Sequence, residues 1–129
     1  MTKKVIIADN APKPVARYSQ GILVDNTLYV QGVIALDPKT NRLVEGQIDA
    51  QARRVFESIR SIVEKAGMTM ADVVKVTAFL SNLSDYPVFN AVYGEYFKTD
   101  PPPVRTTVQA LMPFGALVEV DVIAAKPAV

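Results

Sequence analysis

Two stretches of this chain repeat their apolar residues every three or four positions, and several others alternate apolar with polar ones. In the first helical stretch Ile48, Ala52, Val55, Phe56, Ile59, Ile62, Val63 and Ala66 form one stripe. Arg53, Arg54, Glu57, Arg60, Ser61, Glu64 and Lys65 fall on the opposite side. With Asp49 as a candidate N-cap and Gly67 as a stop, the spacing predicts a helix over 49–66. A second helix is expected from Ser84 as N-cap to about Lys98, burying Phe89, Val92, Tyr93, Tyr96 and Phe97, with Pro87 tolerated in the first turn. Strands are expected over Thr27–Ile34, Val73–Ser81, Arg105–Ala110 and Leu117–Ala125, which are rich in β-branched residues, and shorter ones over Val5–Ile7 and Ile22–Val24. Asp37–Asn41 has turn composition, and Met112-Pro113-Phe114-Gly115 reads as the loop of a hairpin joining the last two strands. Strands, helix, strand, helix, strands is the order of an α+β fold with both helices on one face of a single sheet. The 129 residues are expected to form a single domain over 1–129.

Alternate positions of a strand point to opposite faces, so each strand divides in two. One set, Val118, Val120, Val122 and Ala124 with Thr106, Val108 and Ala110, Val74, Val76, Ala78 and Leu80, and Leu28, Val30 and Gly32, suits packing against the helices. The other set mixes Tyr29, Val33, Phe79, Leu117 and Ile123 with Arg105, Glu119, Asp121, Lys75, Gln31 and Gln109. A face of that kind is too apolar for water, and a second copy of the chain in a closed assembly is the expected cover.

Composition narrows the chemistry. Fourteen Lys and Arg against thirteen Asp and Glu leave a net charge of +1, so the total charge draws the chain to neither nucleic acid nor membrane. The chain has no cysteine, which removes disulfides and thiol catalysis and fits a reducing compartment. Without an apolar leader or a run near the roughly 20 residues of a membrane helix, a cytoplasmic protein is expected. Histidine is absent too, and with it go Ser-His-Asp catalysis, zinc deaminase sites and two-histidine nuclease mechanisms. Acid–base work falls to carboxylates, Tyr, Lys or water. No Walker loop or Gly-rich dinucleotide fingerprint is present, and no metal or cofactor is called for.

Among the candidate groups Arg105 stands first, opening its strand after Pro101-Pro102-Pro103-Val104. A guanidinium presents a planar fork of donors that matches a carboxylate. A hairpin turning near Met112 would place Arg105 roughly opposite Glu119 on one face. Residue type and spacing leave a structural Arg–Glu pair as an equal alternative. Tyr18 lies between two early strands, where an ordinary partly buried loop tyrosine is the stronger reading, and Asn90 lies in the first turns of the second helix, with a plain solvent-facing polar residue as its alternative. Gly32, inside a strand, suggests a bulge or a close approach to the backbone.

Taken together, Tyr18-Ser19-Gln20-Gly21, Ala50-Gln51-Ala52-Arg53, Asp72-Val73-Val74-Lys75-Val76-Thr77, Asn90-Ala91-Val92-Tyr93, Pro103-Val104-Arg105 and Gly115-Ala116-Leu117-Val118-Glu119-Val120 resemble the Rid/YjgF family along nearly the whole chain. The resemblance implies a Bacillus-chorismate-mutase-like α+β fold and a homotrimer whose sheets face a central barrel, with ligand clefts between subunits. It also implies hydrolysis of 2-aminoacrylate with its tautomer 2-iminopropanoate, and of 2-iminobutanoate, to 2-oxo acids and ammonia. By position Arg105 corresponds to the carboxylate-binding arginine and Glu119 to the water-orienting acid. Tyr18, Gln31, Gly32, Asn90 and the backbone of Thr107 correspond to other cleft positions. Gln31 stands where serine is frequent, Arg17 where proline is frequent, and Thr106-Thr107 where Ser-Cys is common, which bears on substrate range. Some relatives act on larger substrates such as 2-aminomuconate, and others lack the activity, leaving a small-carboxylate binding module as the alternative. A ribonuclease, also attached to this family, finds neither histidine nor a basic stripe here.

Overall fold

The computed structural model describes residues 2–127; Met1, Ala128 and Val129, the ends of the expected domain, lie outside the described residues. Six strands form one mixed sheet: β1 (Lys3–Ile6), β2 (Gly21–Val24), β3 (Thr27–Ile34), β4 (Val73–Leu80), β5 (Val104–Gln109) and β6 (Val118–Ala125), in spatial order β1-β2-β3-β6-β4-β5. The helices α1 (Ile48–Lys65) and α2 (Tyr86–Tyr96) lie on one face, α1 against β3 and β6 and α2 against α1. The α+β class and the placing of both helices on one face agree with the sequence pattern.

The apolar stripe of α1 is the centre of the core: Ala52, Val55, Phe56, Ile59, Ile62 and Val63 are fully buried against Leu28, Val76, Ala78, Val118 and Val120. Gln47 occupies the N-cap position in place of Asp49, which instead sits in the first turn where its charge complements the helix dipole. At the other end Gly67 adopts φ +81, the left-handed conformation that ends a helix after Ala66. A short 3-10 turn, Leu83–Asp85, precedes α2, and the Ser84 amide donates to Asn82 Oδ1, so Asn82 rather than Ser84 caps this corner. Phe56 packs its ring among Phe89, Tyr93, Tyr96 and Phe97, joining the two helices.

Three expectations about the strands are overturned. The loop at Met112–Gly115 is not a hairpin. It contains a 3-10 turn, Pro113–Gly115, and carries the chain over β4, because β5 pairs with β4 in parallel while β6 pairs with β4 antiparallel on its other side. Arg105 therefore pairs with Val76 and Thr107 with Ala78, whereas Glu119 pairs with Phe79. Val76 and Ala78 are buried under the helices, so Arg105, Thr107 and Gln109 point to the helix side, and Thr106 and Val108 share the open face with Glu119. The third concerns register. A shift between Val30 and Val33 sets Gln31 and Gly32 against Asp121 alone and turns Val33 into the core, and a second shift buries Val73 and exposes Val74.

Candidate functional site

The seven residues singled out from the sequence fall into two groups on opposite sides of the sheet. Arg105, Asn90 and Thr107 gather where the edge strand β5 runs beside α2. Tyr18, Gln31, Gly32 and Glu119 gather at the bulge of β3 and the start of β6, on the open side.

Helical spacing builds the first group. Tyr86, Phe89, Asn90 and Tyr93 stand at i, i+3, i+4 and i+7, so α2 turns all four toward β5. Arg105 Nη1 donates to Asn90 Oδ1 at 2.8 Å and Nη2 donates to Tyr86 Oη at 2.6 Å. Its guanidinium carbon lies 4.6 Å from the Tyr93 ring centre and 5.4 Å from that of Tyr86. Burial raises the Tyr93 hydroxyl above its ordinary range, which Arg105 partly opposes. Among the described residues no carboxylate lies within ion-pair distance of Arg105. The structural Arg–Glu pair left open by the sequence is thus not formed within one chain, and Asp121 lies on the far face beside Thr77. An open cavity of about 440 Å³ lies before the guanidinium, lined by Leu83, Tyr86, Arg105 and Thr107. The Thr107 hydroxyl oxygen is buried and has no hydrogen-bond partner. A half-buried cation held by neutral groups, beside an unpartnered hydroxyl, is equipped to grip an anion.

The second group depends on the bulge. A Cβ built at Gly32 would run into Glu119 Oε2 and lie 3.1 Å from Cδ, so only glycine lets this carboxylate lie flat on β3. Burial raises the Glu119 carboxyl above the ordinary carboxylate range, and the charge of Asp121 adds to the effect. A cleft of about 260 Å³ opens over it between Tyr18, Val15, Ile34, Leu36, Pro113 and Phe114. The Tyr18 hydroxyl accepts from the Val15 amide at 3.3 Å. Next to it, a water-sized space of about 20 Å³ is bounded by Tyr18, Gln31, Gly32 and Lys13, and Gln31 Oε1 is buried without a partner. Gln20, 2% exposed, holds this wall. Its side-chain amide bonds both the N–H and the C=O of Ala8 and the carbonyls of Ala11 and Pro12, while its backbone carbonyl accepts from the Gln31 amide at 2.9 Å.

Tyr86, Tyr93 and Leu83 were not picked out from the sequence as site residues, although the 86/89/90/93 stripe contains the signal; nor was Phe114, whose surroundings have loop composition. Among the described residues no three His, Cys, Asp or Glu side chains cluster as metal ligands would, and no helix is long and apolar enough to cross a membrane.

Residues 8–126 match the sequence profile of the family described as Endoribonuclease L-PSP. A RutC family protein of Sulfurisphaera tokodaii is 46% identical over 124 residues, 95% of this chain and 98% of the relative. A protein of Dermatophagoides farinae named 2-iminobutanoate/2-iminopropanoate deaminase is 40% identical over 120 residues, 92% of this chain and 93% of that one. The crystal structure of RidA from the Antarctic bacterium Psychrobacter sp. PAMC 21119 superposes with a TM-score of 0.90 at 41% identity, covering 95% of this chain and 99% of the other.

Proposed function

This chain belongs to the Rid/YjgF family, the family described as Endoribonuclease L-PSP, and from that premise we propose that it is a cofactor-free deaminase hydrolysing small 2-imino acids. Its substrates in this reading are 2-iminopropanoate, with its enamine tautomer 2-aminoacrylate, and 2-iminobutanoate. The observation that carries the reading is Arg105, a cation braced by Asn90 and Tyr86 with no carboxylate partner among the described residues. It clamps the substrate carboxylate, with Thr107 beside it. Glu119 holds the attacking water. The water oxygen bonds to C2, the C=N pair moves to nitrogen, and a proton follows it. The carbinolamine then loses ammonia as the C2–N bond breaks and the remaining hydroxyl gives up its proton to leave a carbonyl. Tyr18, Gln31, Gly32 and Asn90 complete the cleft. An imine carbon is electrophilic already, so this route asks for no covalent nucleophile.

Arg105 and Glu119 lie on opposite faces of one sheet, which favours a cleft in which Arg105 of one copy meets Glu119 of another. Tyr29, Val104 and Val108, at 50%, 67% and 40% exposed on the open face, support covering of that face by further copies in a homotrimer around a central barrel. The chain is read as cytoplasmic. The family's endoribonuclease description gains no support from a sequence without histidine and with a net charge of +1.

The test generates 2-iminobutanoate enzymatically and follows its loss with and without the protein. Acceleration that disappears in Arg105→Ala is expected. No acceleration, together with carboxylate binding that depends on Arg105, would make the chain a binding module instead.

A further inference from the structure

Phe114 is hard to explain as a structural residue. Its φ is +62, a left-handed conformation that is uncommon for a bulky side chain and that Gly or Asn adopts more readily. The side chain is 65% exposed in a single copy, so packing within the chain does not account for an aromatic here. Local strain kept without a packing return is a feature of functional positions. Phe114 stands on the rim of the cleft over Glu119, where Val15, Ile34 and Leu36 supply apolar walls, Tyr18 one hydroxyl, and Glu119 the one charge.

The chemistry of the substrate says what such walls are for; this step rests on the deaminase reading above. The planar C2 of a 2-imino acid carries three substituents. Arg105 takes the carboxylate, and the nitrogen requires polar partners. The side chain is then left to the half of the cleft that contains Glu119, since attacking water and C2 must meet there. On one copy that half is an open cleft of about 260 Å³ behind mostly apolar walls, which a methyl or ethyl group leaves largely unfilled. We infer that Phe114 is a specificity-determining residue and that this cleft takes 2-imino acids with large apolar side chains, such as those formed by oxidation of leucine or phenylalanine.

Imines made in place from leucine and from alanine by an amino-acid oxidase provide the comparison, with kcat/KM measured for the full chain and for Phe114→Asn and Phe114→Tyr. Binding of 4-methyl-2-oxopentanoate and of 2-oxopropanoate, in which a carbonyl oxygen stands for the imine nitrogen, is measured by calorimetry on the same proteins. The wild type is expected to favour the larger member of each pair. Phe114→Asn lowers that preference about tenfold, the scale at which a hydrophobic pocket discriminates. Phe114→Tyr preserves it, and Tm in Phe114→Asn stays level or rises because asparagine tolerates the left-handed turn. An unchanged preference in Phe114→Asn overturns the inference, and so does a fall in Tm of more than a few degrees or loss of the native oligomer, either of which would mark Phe114 as structural. If no imine is turned over, the deaminase reading fails by itself, and the preference between the two oxo acids still decides the role of Phe114.

Discussion

Replacing Arg105 with lysine keeps the positive charge and removes the fork, which makes it the sharpest test of the clamp. A guanidinium has five N–H donors, and here one hydrogen on Nη1 and one on Nη2 go to Asn90 and Tyr86. Three donors remain, enough for two parallel bonds to one carboxylate. An ammonium has three donors in all; engaging the same two partners leaves it one. Lysine therefore forfeits one charge-assisted hydrogen bond, worth about 1.5–3 kcal/mol, and stacking on Tyr93 worth about 0.5–1 kcal/mol. Because the group is half-exposed, the lower end applies, about 2 kcal/mol, or roughly 30-fold in affinity. Calorimetric titration of 2-oxobutanoate reads this directly, without depending on turnover, and kcat/KM for 2-iminobutanoate is expected to fall in step. Arg105→Ala should lose more than Arg105→Lys in both. Binding by the lysine variant within about threefold of wild type would refute the bidentate geometry.

Three further perturbations bear on the other half of the site. Gly32→Ala is expected to fold with nearly unchanged Tm, because the new methyl meets only the flexible end of Glu119, while kcat drops by about a hundredfold as the carboxylate is pushed aside; unaltered kcat would show that Glu119 is not required in that place. Glu119 can take a proton from water only when ionised, and burial with the nearby charge of Asp121 raises its folded pKa above the ordinary carboxylate range, so activity should be lost as pH falls through that raised value; Asp121→Asn, removing the second cause of the shift, moves the acid limb of the pH–rate profile to lower pH. Gln20→Leu leaves the Ala8 amide and the carbonyls it bonded without partners, a loss of about 2–4 kcal/mol by urea unfolding; a change below about 1 kcal/mol would mean that water replaces the amide.

Periodicity was enough for the elements themselves. The 49–66 stripe became Ile48–Lys65, and Thr27–Ile34 was placed to the residue, because burial on one side leaves a direct imprint on sequence. Partnering was less legible. Alternation in Arg105–Ala110 reads the same whichever neighbour the strand takes, so pairing it with the next strand in sequence turned Arg105 to the wrong face. The order strand, helix, strand over 73–109 held the clue, since a helical crossover joins parallel neighbours and an antiparallel hairpin needs only a tight turn. A bulge likewise hides from alternation: Gly32 flagged one, but the residue that changed face was Val33. Of the candidate site, Arg105 and Glu119 are singled out by residue type and family pattern. Tyr86 and Tyr93 were not, since an aromatic on an amphipathic helix reads as core until the strand beside it is known.

Placing β6 between β3 and β4 has a consequence for how the chain comes off the ribosome. Everything before Val118 divides into two partial sheets, β1-β2-β3 with α1, and β4-β5 with α2, and each keeps one long, apolar edge open until the last strand arrives. The half that carries Arg105 and the half that carries Gly32 are joined into one sheet only by that insertion. A nascent chain stalled before residue 118 would carry two sticky edges and no joined sheet, so the interval before β6 emerges is the moment of greatest exposure to aggregation and the natural point for chaperone engagement.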